Sequence, residues 1–254
     1  MAQPIGRRVP VSLPRRFVGD LVHCAKSAPL CTLRRTMHLA KVAAARTQAN
    51  PRPGWCAVFT KAYGLVCARR PELRWAFIPF PFSHFYEHPH SIGCIAIERK
   101  LGNEDAVLFT HVRGPENQNL TAIEDHLKRC KEDPIESIPL FRRILKTSRW
   151  PWPVRRLLWW CGLNLSGYRR ACHLGTFGIS VVSALGGASV TLLTPVSTAL
   201  SYGVLEADGT LEVSLTYDHR VIDGGTAART LMEMESVLNG QILDELRLLT
   251  ADAA

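Results

Sequence analysis

The chain has 254 residues, 46% hydrophobic and 21% charged, which is enough to enclose a large core and is unlike a disordered or fibrous composition. Its formal charge of +9 divides into +16 over residues 1–170 and −7 over residues 171–254, so the basic part can attract polyanions without specifying which. The eight cysteines are scattered with no C-x-x-C pair, which excludes a disulfide scaffold and reads as small buried hydrophobes in a reducing compartment.

The first stretch, "MAQPIGRRVPVSLPRR", has arginines but no apolar run, so it is not a secretory leader, and a cytoplasmic protein is expected. Residues 1–13 read as an arm. Residues 14–26 place Phe17, Val18, Leu21, Val22 and Ala25 on one helical face, ended by Ser27-Ala28-Pro29. "LCTLRRTMHL" is extended, Ala40 to Thr47 returns to helix, and Trp55 to Arg69 repeats the helical spacing. Two strand-like runs, 92–99 and 106–113, flank the turn-prone "KLGNED". Thr121 with Glu124 predicts a capping box opening a helix, and another helix follows Pro134.

Residues 141–170 carry eight basic residues, no acidic ones and four of the six tryptophans. From Phe177 to Leu205 no residue is charged, long enough for a membrane span, yet its glycines, Pro195 and many hydroxyl residues favour short buried strands. A strand pair turns at "EADG" (206–209), and a closing helix is expected from Thr226 to Leu238. Strands and helices without strict alternation predict an α+β fold, a mixed, largely antiparallel sheet flanked by helices. We expect one domain over 14–248, with 141–170 as a basic, Trp-rich insertion and 249–254 as a tail.

Where the last strand ends stands "LTYDHRVIDGG", Leu215 to Gly225. His219 there is either part of a polar turn or a catalytic base, and a strand and a helix on either side would preorganise it. His84, His88 and His90 in "HFYEHPH" lack cysteine partners and an acidic ligand set, so they read as a solvated loop and no metal is expected.

The segment "SLTYDHRVIDGGTAARTLMEMESVL" resembles the catalytic signature of the dihydrolipoyl acyltransferase cores of 2-oxoacid dehydrogenase complexes, whose relative chloramphenicol acetyltransferase shares the fold and the H-x-x-x-D-G element. "GTFGISVVSALGG" (175–187) is similar to a second family segment, and the likeness runs more loosely over residues 14–248. The resemblance implies a chloramphenicol acetyltransferase-like fold and transfer of an acyl group from a thioester. His219 would be the general base, one ring nitrogen held by a local carbonyl. Ser180, or Ser183 close by, would donate to the oxyanion, across a subunit interface in a homotrimer. Asp223 would orient the motif through Arg15 or Arg16, with Arg220 in a similar structural role and Gly224 permitting a close turn; Asp223 is also a candidate helix N-cap.

The chain begins almost at the core, so no lipoyl arm is expected, nor any permanently bound cofactor. The segment before "GTFGIS" departs from the family, which favours acyl-CoA as donor over lipoamide chemistry. Arg149, Arg155, Arg156, Trp159 and Trp160 are candidates for contact with a long acyl chain or an anionic membrane surface; the alternative is that the tryptophans are core and the arginines a solvated rim. Nucleic acid is not an expected partner. A scaffold that keeps the trimeric fold without chemistry, and a peripheral membrane binder, are the competing functions.

Overall fold

The computed structural model describes residues 6–181, 183, 186–187 and 191–251. Ser12 caps the first helix, α1 (Leu13–Ala25), by accepting the Arg15 N–H at 3.4 Å, and Pro14 occupies its first turn. Strand β1 (Leu30–His38) and helices α2 (Ala40–Gln48) and α3 (Trp55–Arg69) follow as the periodicity predicts. Next come a short ribbon, β2 (Trp75–Ile78) with β3 (His84–Glu87), and the hairpin β4 (Ile92–Leu101) with β5 (Glu104–Arg113).

Helix α4 (Leu120–Glu132) is capped by Asn119, which accepts the Ala122 N–H at 2.8 Å. The expected Thr121–Glu124 box does not form, because Glu124 instead accepts the Gly54 N–H at the start of α3. The basic segment folds into α5 (Pro139–Ser148), α6 (Trp152–Asn164) and α7 (Gly167–Leu174). Strands β6 (Phe177–Ile179), β7 (Thr198–Tyr202) and β8 (Thr210–Asp218) complete the sheet. The closing helix α8 (Gly224–Val237) runs on through one wide π turn (Leu238–Ile242) into α9 (Leu243–Ala251), so the predicted boundary at 248 falls inside a helix.

The main sheet has the order β1-β8-β7-β6-β4-β5. Its pairs are antiparallel except β4·β6 and β6·β7, which makes it mixed, as expected. Gly175 sets the entry to β6: its φ of +74° is a left-handed conformation, and a Cβ there would meet the Ile92 carbonyl oxygen at 2.5 Å. Thr176 then accepts the Ile92 N–H at 2.9 Å, which registers β6 against β4. The core lies between the sheet and α3, where Phe59 stacks on Tyr202 at 4.2 Å and Tyr63 meets Phe177 edge-on at 4.8 Å. Among the described residues no helix is long and apolar enough to cross a membrane, and the two ends of the uncharged run contribute β6 and β7.

Candidate active site at the histidine turn

β8 delivers the chain to a turn fastened from several directions. Asp218 donates its N–H to the Ser197 carbonyl, and its own carbonyl accepts from Val221 and Ile222. His219 donates its backbone N–H to the Pro29 carbonyl at 3.0 Å, tying the turn to the segment between α1 and β1. Asp223 then caps α8, its carboxylate accepting the Thr226 N–H at 2.6 Å. That hydrogen bond, aided by Arg229 and His219 nearby, holds the Asp223 carboxyl below the usual aspartate range.

The ion pair that organises this turn lies one residue to either side of the histidine. Asp218 is fully buried, and Arg220 reaches it through Nε at 2.9 Å and Nη2 at 2.6 Å, while the Arg220 backbone N–H adds a third contact at 3.0 Å. A carboxylate this buried is tolerable only when paired and hydrogen-bonded, and here both conditions are met within three residues. The Arg220 guanidinium lies over the Phe77 ring, 4.7 Å from its centroid. Arg170 of α7, also buried, donates to the carbonyls of Phe77, Leu163 and Pro195. Burial, and then Arg220, lower the Arg170 pKa to about 10, against the opposing pull of Asp218.

These contacts leave the His219 side chain exposed, its ring 5.8 Å from that of buried Tyr217. The expected carbonyl partner is missing: neither ring nitrogen has a hydrogen bond among the described residues. A Cβ on Gly224 would meet the Tyr217 hydroxyl at 3.4 Å, an ordinary contact, so nothing among the described residues requires glycine there. The predicted pairing of Asp223 with Arg15 or Arg16 does not occur within the chain. Arg15 lies 3.3 Å from Glu104 of β5, and Arg16 donates to the Val11 carbonyl of the arm before α1.

Ser180 immediately follows β6. Its N–H donates to the Leu200 carbonyl at 3.2 Å, and its half-buried hydroxyl has no partner among the described residues. Ser183 is also half-buried, so the choice between the two stays open. Extending the register past the last paired residues sets Ser180 level with Ser201 and His219 level with Val196, toward opposite ends of β7.

The basic segment divides differently from expectation. Arg155 is buried and donates to the Asp20 carboxylate at 2.7 Å and to the Trp150 carbonyl, so it is a core ion pair and not a surface contact. Trp159 is half-buried against Phe17, at 5.8 Å. Arg149 and Trp160 are exposed, the latter beside Phe80. Of the histidines of "HFYEHPH", His84 and His90 are exposed, as expected, and only His88 is buried. His84 opens β3, and buried His88 shares its Nδ1 with the His90 carbonyl and stacks near Tyr168. No metal-binding group occurs among the described residues.

Sequence reasoning missed Asp218, Tyr217 and Arg170. The Asp-His-Arg order was a usable signal for the first, since carboxylate and guanidinium two residues apart in a turn can chelate across the residue between them. Nothing local marks Arg170.

Residues 175–244 match the family model described as 2-oxoacid dehydrogenases acyltransferase (catalytic domain). No curated protein matches the sequence. A dihydrolipoamide acetyltransferase of Azotobacter vinelandii, studied for the roles of a serine, a histidine and an asparagine in its catalytic mechanism, superposes with a TM-score of 0.69 at 16% identity, over 96% of this chain and 99% of that one. The cubic core of a pyruvate dehydrogenase multienzyme complex gives 0.66 at 17% identity, over 96% and 99%. A chloramphenicol acetyltransferase gives 0.53 at 14% identity, over 89% and 94%. The likeness establishes the chloramphenicol acetyltransferase-like fold.

Proposed function

We propose that this chain, related to the 2-oxoacid dehydrogenase acyltransferases through residues 175–244 and through its fold, moves an acyl group from a CoA thioester to a nucleophilic acceptor. The observation that carries the reading is the histidine turn: backbone and ion-pair contacts fasten it on both sides of His219, whose side chain is left exposed. In the proposed step His219 takes the proton of the acceptor thiol, amine or hydroxyl as that atom attacks the thioester carbonyl. Ser180 donates to the oxyanion; collapse breaks the carbon–sulfur bond, and the proton passes to the CoA thiolate. Since Ser180 and His219 lie at opposite ends of β7, the reading requires two chains per site, in a homotrimer. The cubic core among the structural matches supports assembly of this fold into larger arrays. Acyl-CoA is a substrate here, and no resident cofactor takes part.

The test is a screen of acyl-CoAs of different chain length with thiol, amine and alcohol acceptors, followed by release of free CoA. Turnover that vanishes in His219→Ala supports the reading. Absence of turnover with every pair favours a scaffold that keeps the fold without the chemistry.

A second reading has its own observation. The outward side of α6 is apolar, with Trp152 60%, Leu157 61% and Trp160 47% exposed, and basic Arg149 lies close by in sequence. Tryptophans among arginines suit an anionic bilayer surface. Sedimentation with anionic liposomes, weakened by Arg149→Gln more at low salt than at high salt, is the result this reading expects.

A further inference from the structure

The end of α1 with the residues after it, helix α6 and the end of β2 border an open cleft of about 600 Å³. Three guanidinium groups border it: those of Arg156, Arg170 and Arg220. Arg220 is chelated by Asp218, and Arg170 spends its N–H groups on three backbone carbonyls. Arg156 is different. Its Nε and Nη1 are shut off from solvent without a hydrogen-bond partner among the described residues. The nearest carboxylate, Asp20, stands 3.7 Å from Nε and is already held by Arg155 at 2.7 Å.

Around the cleft and the ion pairs behind it, four arginines therefore share two aspartates, Asp20 and Asp218. No acidic residue occurs anywhere between positions 137 and 205, so α6 and α7 themselves cannot balance the excess. Guanidinium groups in a partly desolvated recess call for an anion, and paired N–H donors suit a phosphate oxygen set best. Phe77, Leu157, Trp160 and Leu163 give the wall an apolar part, beside polar His23, Ser27 and Asn164. A purely ionic ligand would leave that wall unused.

We propose that this cleft binds a phosphate ester carrying an apolar chain, with the phosphate on the two N–H groups of Arg156 Nη2, the guanidinium nitrogen not shut off from solvent, and the chain along Leu157 and Trp160. The ligand would touch Arg220, next to His219, but the site does not depend on turnover, so its failure and that of the acyltransferase reading are separable.

Calorimetric titration of the full chain with decyl phosphate below its micelle threshold, inorganic phosphate and decanol is the direct test. Decyl phosphate is expected to bind at least about tenfold tighter than either control, and Arg156→Gln to weaken it by about 10- to 100-fold, as for a charge-assisted contact. Arg156→Lys should recover part of the loss, and Arg129→Gln, exposed on α4 and outside the cleft, should change nothing. If Arg156→Gln does not fold, Trp160→Ala serves instead: it should weaken decyl phosphate while leaving inorganic phosphate unaffected. Displacement of decyl phosphate by CoA identifies the acyl donor as the natural source, and displacement by phosphatidate vesicles identifies a lipid headgroup. Binding no tighter than decanol, or undiminished in a folded Arg156→Gln variant, overturns the proposal.

Discussion

Ser180 and His219 stand at opposite ends of β7, five residue steps apart along that strand (Val196 to Ser201) and two strands apart across the sheet. At strand dimensions that is about 17 Å along and roughly 10 Å across, too far for both to touch one reacting carbonyl. A site that uses both must draw them from different chains. Mixing His219→Ala with Ser180→Ala subunits should then restore about a quarter of wild-type activity, the share of interfaces that pair two intact residues on random assortment in a closed ring. Verified mixed trimers without activity would falsify the shared site.

His219→Ala should lower acyl transfer by about 10²–10⁴-fold with little change in stability, because the ring is exposed and has no hydrogen bond among the described residues. Initial rates beside a urea midpoint separate the two effects. Wild-type rates from the variant would remove His219 from the mechanism.

Asp218 and Asp223 make opposite predictions, although only five residues separate them. Asp218→Ala strands Arg220 beside Arg170 and should cost about 3 kcal/mol or more, as breaking a buried pair does. Asp223→Asn keeps an N-cap oxygen for Thr226 and should leave the rate unchanged and lower stability only slightly, through loss of the charge that the fold favours. A large loss of rate in Asp223→Asn would show that its charge, rather than its capping, is what the site needs.

Arg155→Gln should destabilise the chain by about 3–5 kcal/mol by leaving the buried Asp20 carboxylate without its main partner. Arg149→Gln, on an exposed helix cap, should stay within about 0.5 kcal/mol. Equal urea midpoints for the two variants would contradict the core role of Arg155.

Acid should destabilise the fold before the carboxylates titrate. Burial first, and then Arg113 and His173, push the His111 imidazole down to about 4 from its ordinary 6.5. Between those values the unfolded chain binds the extra proton, so stability is complete above pH 6.5 and is lost as pH falls through 4. The loss amounts to about 3 kcal/mol in full. His126 and His173, also lowered by burial, act in the same direction. Urea midpoints at pH 7.5 and 5 should fall for wild type and fall less for His111→Gln; equal falls would remove His111 as the cause.

Elements with a strong local pattern were legible in the sequence. α1, α3, β4 and β5 follow from the spacing of their apolar residues, since burying one face constrains residues only a few positions apart. The histidine turn was legible through a local motif, and the resemblance it carried gave the fold. The tertiary structure alone decided how the charges pair. Arg155 reads as surface by type and position, yet it is core because Asp20, 135 residues away in the chain, meets it there. Arg170 owes its burial to carbonyls on three separate segments. The same holds for Ser180 and His219, whose separation depends on strand order and register. Hydrophobic periodicity is a local property of the chain. The partner that makes a buried charge tolerable, and the distance between two strand ends, exist only after non-local pairing has brought the segments together.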